Sequence, residues 1–376
     1  MNWAVINSRV LAGGAIALVS AFAAAQDADP PAPAEINNFV HPAGTETAPL
    51  GQLGHVEKRG NGPIDVILIP GVGFGWSVWD SFMTRNADRY TMYAITPAGM
   101  DGTKPPPIPQ EIENFAAHQW NNGLLDGLVN LIKTQKLDQP LVVGHHVVGD
   151  HQALRMGLVH PDLVRGIVVV SGLPAHLANP GPDPAKDILQ TTEQMQIDVV
   201  VNRWIPIHRT LTRESWLAGT YKPPVLCNDK DRGNALYEQG ISTPFSTQIR
   251  YFLECVTTNP ALRLPEIKVP LLVVYPVGDP DEERQRIRQS IAVEFSDPED
   301  VERRVQLVVD QLYGGLETFR ERFTKNPLWE ALRPGVDKLT IEYVPETRIF
   351  IMDDQPDRLD ELIEVFVKRL SAAGIE

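Results

Sequence analysis

From Ile64 onward the chain alternates short apolar runs with longer stretches whose apolar residues recur at helical spacing. Val66-Ile67-Leu68-Ile69 is apolar at every position, the pattern of a strand covered on both faces. It stops at the glycine-rich Pro70-Gly71-Val72-Gly73. Met92 to Thr96 is a second such run, ended by Pro97-Ala98-Gly99. A helix is expected from about Ile112 to Thr134, with Leu124, Leu125, Leu128, Leu131 and Ile132 on one face. Leu141 to Val143 and Ile167 to Val170 read as strands, with an apolar-periodic stretch, Gln152 to Leu158, between them. Strand patterns return at Pro270 to Tyr275 and at Leu339 to Val344. A last helix is expected from about Asp357 to Leu370, where Leu359, Leu362, Ile363, Phe366 and Leu370 fit the helical period. This alternation predicts an α/β fold with a mostly parallel central sheet and helices on both faces.

Two segments break the rhythm. Between about 173 and 264, helical pieces carry Trp204, Trp216, Tyr221, Tyr237, Tyr251 and Phe252. An insertion of this kind is expected to cover the carboxyl edge of the sheet as a helical lid. A second, charged helical insertion spans about 282–337, before the last strand. Within it Ser296-Asp297-Pro298-Glu299 has capping-box spacing. Val301, Val305, Val308 and Leu312 then mark one helix face. No internal repeat is visible.

Composition narrows the function classes. The chain has 376 residues, 43% hydrophobic and 22% charged, which is globular usage. A formal net charge of −14, with no basic stripe, opposes nucleic-acid binding, which needs clustered Lys and Arg. Residues 1–25 have the form of a signal peptide: Arg9, the apolar run Val10 to Ala21, then Ala23-Ala24-Ala25 before Gln26. The alternative is an uncleaved anchor. The expected plan is a Pro-rich flexible lead-in over 26–50 and one domain over 51–376, periplasmic or secreted, with no stable membrane insertion after signal removal. An oxidising compartment would permit a bridge between Cys227 and Cys255, but their spacing leaves open whether they pair.

Gly144-His145-His146-Val147-Val148-Gly149 lies between an expected strand and an expected helix. Strand, tight glycine turn and helix is the setting of a nucleophile elbow, where a strained turn lifts one side chain above a parallel sheet. With three further segments it resembles the α/β-hydrolase superfamily. Val66 to Gly71 resembles the strand and oxyanion loop, and His160 to Val170 the helix end and strand after the elbow. Val273-Val274-Tyr275-Pro276-Val277-Gly278-Asp279 resembles the strand and turn that hold the triad acid. The resemblance implies an α/β-hydrolase fold and places three catalytic positions. The nucleophile position falls on His146 rather than serine, and the acid position on Asp279, with Asp281 nearby. The histidine position, within Arg348 to Pro356, falls on Ile349. The inner glycine of the motif is displaced: Val148 holds its place and Gly149 follows. No histidine occurs after His208, so a Ser–Asp–His triad of ordinary chain order cannot be assembled.

Backbone donors at Gly71, Val72 and Val147 are expected to survive as an oxyanion site, which suits a small carbonyl or ester-like ligand. Trp76, His145 and His176 are candidates for the pocket. One reading is therefore a hydrolase-fold protein with a degenerate triad that binds its ligand without efficient hydrolysis. A second is an active ester-type hydrolase in which His146 pairs with Asp279, as general base for water or as nucleophile. A third is an interaction protein working through the charged insertion. His145, His146, Asp150 and His151 do not have a spacing that converges on zinc, so no metal or other cofactor is expected. Ser77 and Ser171 sit on no tight glycine turn, and neither has an evident base in the sequence.

Overall fold

The computed structural model describes residues 38–180, 183–292, 295–313 and 315–372. The expected signal peptide and residues 26–37 of the expected lead-in lie outside them. Seven strands form one sheet in the order β1-β3-β2-β4-β5-β6-β7. They are β1 (His55–Arg59), β2 (Ile64–Ile69), β3 (Tyr90–Thr96), β4 (Leu141–His145), β5 (Gly166–Val170), β6 (Leu271–Val277) and β7 (Leu339–Pro345). Every pairing is parallel except β1 with β3. The antiparallel edge strand β1 was not foreseen: its sequence, His-Val-Glu-Lys-Arg, carries one apolar residue and a half-exposed pattern.

Alternation along the strands splits the core in two. Ile67, Ile69, Val142, Ile167, Val169, Leu271 and Val273 face one cluster. Val66, Leu68, Leu141, Val143, Val168, Val170, Leu272 and Val274 face the other. The first face is covered by the helix Gln119–Gln135 through Leu124, Leu125 and Leu128, and by Val148–Val159 through Ala153, Leu154 and Met156. Trp79, Phe82, Met83 and the last helix, Pro356–Ala372, cover the second. Because strands are covered on both sides, they read as unbroken apolar runs.

We name the helices used below α1 (Gln119–Gln135), α2 (Val148–Val159), α3 (Phe245–Val256), α4 (Pro280–Ala292), α5 (Pro298–Tyr313), α6 (Leu316–Thr324) and α7 (Pro327–Leu332). α1 starts seven residues later than its pattern suggests, after a 3-10 turn at Phe115–Ala117 and a left-handed His118 (φ 49°). Its first turn is capped from a distance: the buried Glu254 of α3 accepts the N–H groups of Trp120 (3.3 Å) and Asn121 (2.8 Å). α3 belongs to the helical segment between β5 and β6, yet it is buried from Ser246 to Val256. α5 is capped at Asp297 rather than Ser296, since Asp297 Oδ1 accepts the Glu299 N–H (3.1 Å). Val301, Val305 and Val308 do share a buried face, joining Ile287, Ile291 and Phe319 in a third, separate apolar cluster.

The lead-in differs from expectation, and the cysteines, whose pairing the spacing leaves open, are unpaired. The described part of the lead-in is docked: Phe39 is fully buried, and Asn38 donates to the carbonyls of His208 and Leu211 (both 2.7 Å). Cys227 and Cys255 are both free thiols. Cys227 donates to Asp354 Oδ1 (3.0 Å) among the second cluster, whereas Cys255 packs in the first.

Several histidines are held neutral by burial. His118, His145 and His208 are pushed down to about 4, and His146 and His151 well below the ordinary 6.5. In the unfolded chain each takes a proton near 6.5, so lowering pH through that value favours unfolding. Glu254, raised to about 7 by burial, and the raised carboxyls of Glu283, Asp353 and Asp354 work in the opposite sense, against six lowered histidines when His41 is included. The melting temperature is therefore expected to fall by about 5 °C or more between pH 7 and pH 5. A flat or rising profile in a thermal melt would contradict this assignment of neutral histidines.

Candidate functional site

The turn after β4 carries its strain on two residues. His146 (φ 39°) and Val147 (φ 57°, ψ −92°) both lie in the left-handed region. Such a conformation costs about 1–3 kcal/mol per non-glycine residue, and it is least tolerated by a β-branched side chain. Close backbone packing holds it in place. A Cβ on Gly144 would come within 2.0 Å of the Gly149 carbonyl oxygen, and one on Gly149 within 2.7 Å of the Ile69 oxygen. The displaced motif glycine is thus the one that lets α2 approach β2. Gly71 packs against the same turn, where an added Cβ would stand 3.1 Å from the His146 carbonyl oxygen. Val147 sends its side chain into the core, and His146 turns its ring into a cavity.

That cavity, of about 100 Å³, brings the three catalytic positions of the resemblance together: His146, Asp279 and Ile349 all line it. Among the described residues no hydrogen bond joins them. His146 Nε2 is buried with no hydrogen-bond partner. Asp279 is exposed and caps α4, its Oδ1 accepting the Asp281 N–H (2.7 Å). Asp281 itself is drawn outward, 3.9 Å from Arg320. Ile349 is half-buried, and its carbonyl is 3.0 Å from His145 Nε2. His145 is consequently an anchor between the elbow strand and the loop after β7, packed on Phe350 (4.6 Å between ring centres), rather than a pocket wall.

The oxyanion donors also depart from expectation. The Val147 N–H donates to Asp150 Oδ2 (3.1 Å), so an internal carboxylate already occupies it. The same oxygen accepts the Leu173 N–H (2.9 Å), and His176 Nε2 lies 3.2 Å from Asp150 Oδ1. Asp150 is fully buried and His176 nearly so. This corrects the reading of His176 as a pocket residue: its ring serves Asp150. Val72 lines a second, mainly apolar cavity of about 70 Å³ with Phe74, Trp216 and Tyr237. Tyr221 stands in the wall of that cavity with its ring 5.3 Å from the His146 ring. Trp76 lines neither cavity. Its backbone N–H is tied to Thr96 Oγ1 (3.0 Å), and its ring lies 6.0 Å from that of His55.

Residues the sequence did not flag complete the first cavity. The charged insertion supplies Glu283, Arg286 and Phe323, and the loop after β7 adds Thr347 and Arg348. Glu283 is buried and paired with Arg286 (3.1 Å); burial outweighs the guanidinium and raises its pKa. Ser171, immediately after β5, also lines the cavity, in the left-handed region (φ 53°). Its position directly after an apolar run and before Gly172 was the available signal. Among the described residues no three His, Cys, Asp or Glu side chains converge as a metal site, and no helix is long and apolar enough to cross a membrane.

Removing the Asp150 carboxylate would strand a buried histidine and two buried N–H groups. Asp150→Ala is expected to cost about 3–5 kcal/mol in urea unfolding, against under about 1 kcal/mol for Asp279→Asn at an exposed cap. Equal costs would show that Asp150 does not hold the turn.

The comparisons place this geometry. No curated protein matches the chain significantly. Among solved structures, a hydrolase from Oleispira antarctica has a TM-score of 0.54 at 12% identity, covering 85% of this chain and 96% of its own. The esterase RhEst1 from Rhodococcus sp. ECU1013 has a TM-score of 0.53 at 12% identity, covering 84% of this chain and 94% of its own. A thermophilic esterase from Thermogutta terrifontis has 0.51 at 13% identity, covering 84% and 93%. At these identities the likeness is one of fold. The sequence model of the alpha/beta hydrolase family matches residues 66–312, well over half of the chain, and the protein belongs to that family.

Proposed function

We propose that this protein is an exported member of the family with a degenerate triad, which binds a small carbonyl or ester-like molecule in the His146 cavity without efficient hydrolysis. The observation that carries this reading is the state of the three catalytic positions. His146, Asp279 and Ile349 share one cavity, but no hydrogen bond connects them, and the Val147 donor is spent on Asp150. A triad that lacks its members loses about four to six orders of magnitude in rate. What survives is a small, partly polar chamber, and shape with a few polar groups suffices for binding. Esterases among the structural neighbours support an ester-like ligand. The alternative dyad of His146 with Asp279 has less support, because the carboxylate is exposed and engaged in capping α4.

Binding is testable with one substitution. A Cβ on Gly278 would meet only Phe323, at 3.8 Å, so Gly278→Leu fills the cavity without straining the backbone. Saturating short-chain p-nitrophenyl esters and lactones are expected to raise the melting temperature of the natural protein by a few degrees and that of Gly278→Leu not at all. Turnover in the range of about 1–1,000 per second, usual for enzymes, would overturn the binding reading.

Export predicts a mature chain that begins at Gln26. Terminal sequencing of protein recovered from the periplasm or medium of a bacterial host checks it, and an intact Met1 there would reject cleavage.

A further inference from the structure

β4 and β5 run parallel with His145 opposite Val170. The residues that follow them, His146 and Ser171, therefore leave adjacent strands, which lie about 4.8 Å apart. The ladder continues to this point, since the His146 N–H donates to the Val170 carbonyl (3.2 Å) and the Ser171 N–H to that of Val274 (2.9 Å). Both residues then leave their strands in the left-handed region, at φ 39° and φ 53°. Both side chains line the same cavity. Each also holds a buried polar atom without a hydrogen-bond partner, Nε2 of His146 and Oγ of Ser171. An unsatisfied buried polar group costs about 1–3 kcal/mol, so two of them side by side on strained backbone need a reason.

We infer that Ser171 and His146 form a transposed acyl-transfer pair, in which the Ser171 hydroxyl is the nucleophile and the His146 imidazole its base. The inference rests on the reading that this cavity takes an ester-like ligand. Ser171 Oγ bonds to the acyl carbon as its proton passes to His146 Nε2. The carbon–oxygen bond to the leaving group breaks, and that alkoxide takes the proton from the imidazolium. A water molecule then attacks the acyl-serine with the same imidazole as base, releasing the carboxylic acid and restoring the hydroxyl. The two side chains need not be hydrogen-bonded beforehand, because catalytic contacts tighten in the substrate complex. The ring of Tyr221, 5.3 Å from that of His146, is a positioning residue for the imidazole. A complete triad has a carboxylate on the imidazole nitrogen away from the nucleophile; none acts on the His146 ring among the described residues, which makes the pair slow and compatible with inefficient hydrolysis.

A fluorophosphonate probe applied to the intact mature protein, with the labelled peptide mapped by mass, tests this. The label is expected on Ser171, with its rate reduced at least about 100-fold in His146→Gln, the usual worth of a general base. It should vanish in Ser171→Ala and in Ser171→Gly, the latter adopting φ 53° without strain and so melting no lower than the natural protein. Ser77→Ala should label normally. No label, a label elsewhere, or labelling undiminished in a folded His146→Gln would overturn the pair. Ester-induced stabilisation is read on the same samples: stabilisation without label refutes the pair and leaves the binding reading standing, and absence of both refutes each.

Discussion

The buried carboxylate of Asp150 is the constraint on which the site depends. It holds the N–H of Val147 on one side and that of Leu173 on the other, with the His176 ring closing the set. In one group it ties the strained turn after β4 to the segment after β5. Without such a clamp, two consecutive left-handed residues, one of them valine, would relax toward ordinary backbone. The clamp also has a chemical effect. A donor that would otherwise meet developing negative charge is already taken by a side-chain oxygen. The backbone of the elbow is therefore engaged within the protein as firmly as its side chains are packed.

Hydrogen bonding then decides what the remaining polar groups can do. His145 is secured by the carbonyl of Ile349, so the loop after β7 braces the elbow strand through its backbone. Asp279 caps the start of α4. His146, Ser171 and Arg348 line the cavity with buried polar atoms that have no hydrogen-bond partner, and of these only the first two pair a hydroxyl with a neutral base. Burial keeps the His146 imidazole neutral, the protonation state in which its nitrogen can accept a proton.

Much of the fold was legible because the strands are apolar on both faces. Val66 to Ile69 and Ile167 to Val170 leave little choice but a covered parallel sheet, and the structure places both there. The convergence of His146, Asp279 and Ile349 on one cavity was also readable, through the resemblance of the segments that carry them. The rest depended on contacts between residues far apart in the chain. Glu254 caps a helix 133 positions away, which shifts the start of α1 from where its periodicity suggests. His176 was misplaced because nothing local says that it serves Asp150, 26 residues earlier. Trp76 was misplaced because an aromatic beside a glycine loop can pack on either face of the sheet. Ser171 was set aside for want of an evident base because its neighbour is set by strand register, which a single sequence does not display.

The charged insertion has an interior of its own. Ile287, Ile291, Val301, Val305, Val309 and Phe319 pack with one another and apart from the two clusters that sandwich the sheet. Glu283, Arg286 and Phe323, from the same helices, form part of the wall beside His146. A unit with its own nucleus can swing or loosen as one piece while the sheet keeps its registration, because local opening breaks only the contacts of the unit that opens. Opening of that unit would therefore change the wall beside His146 while the two clusters on the sheet stay packed.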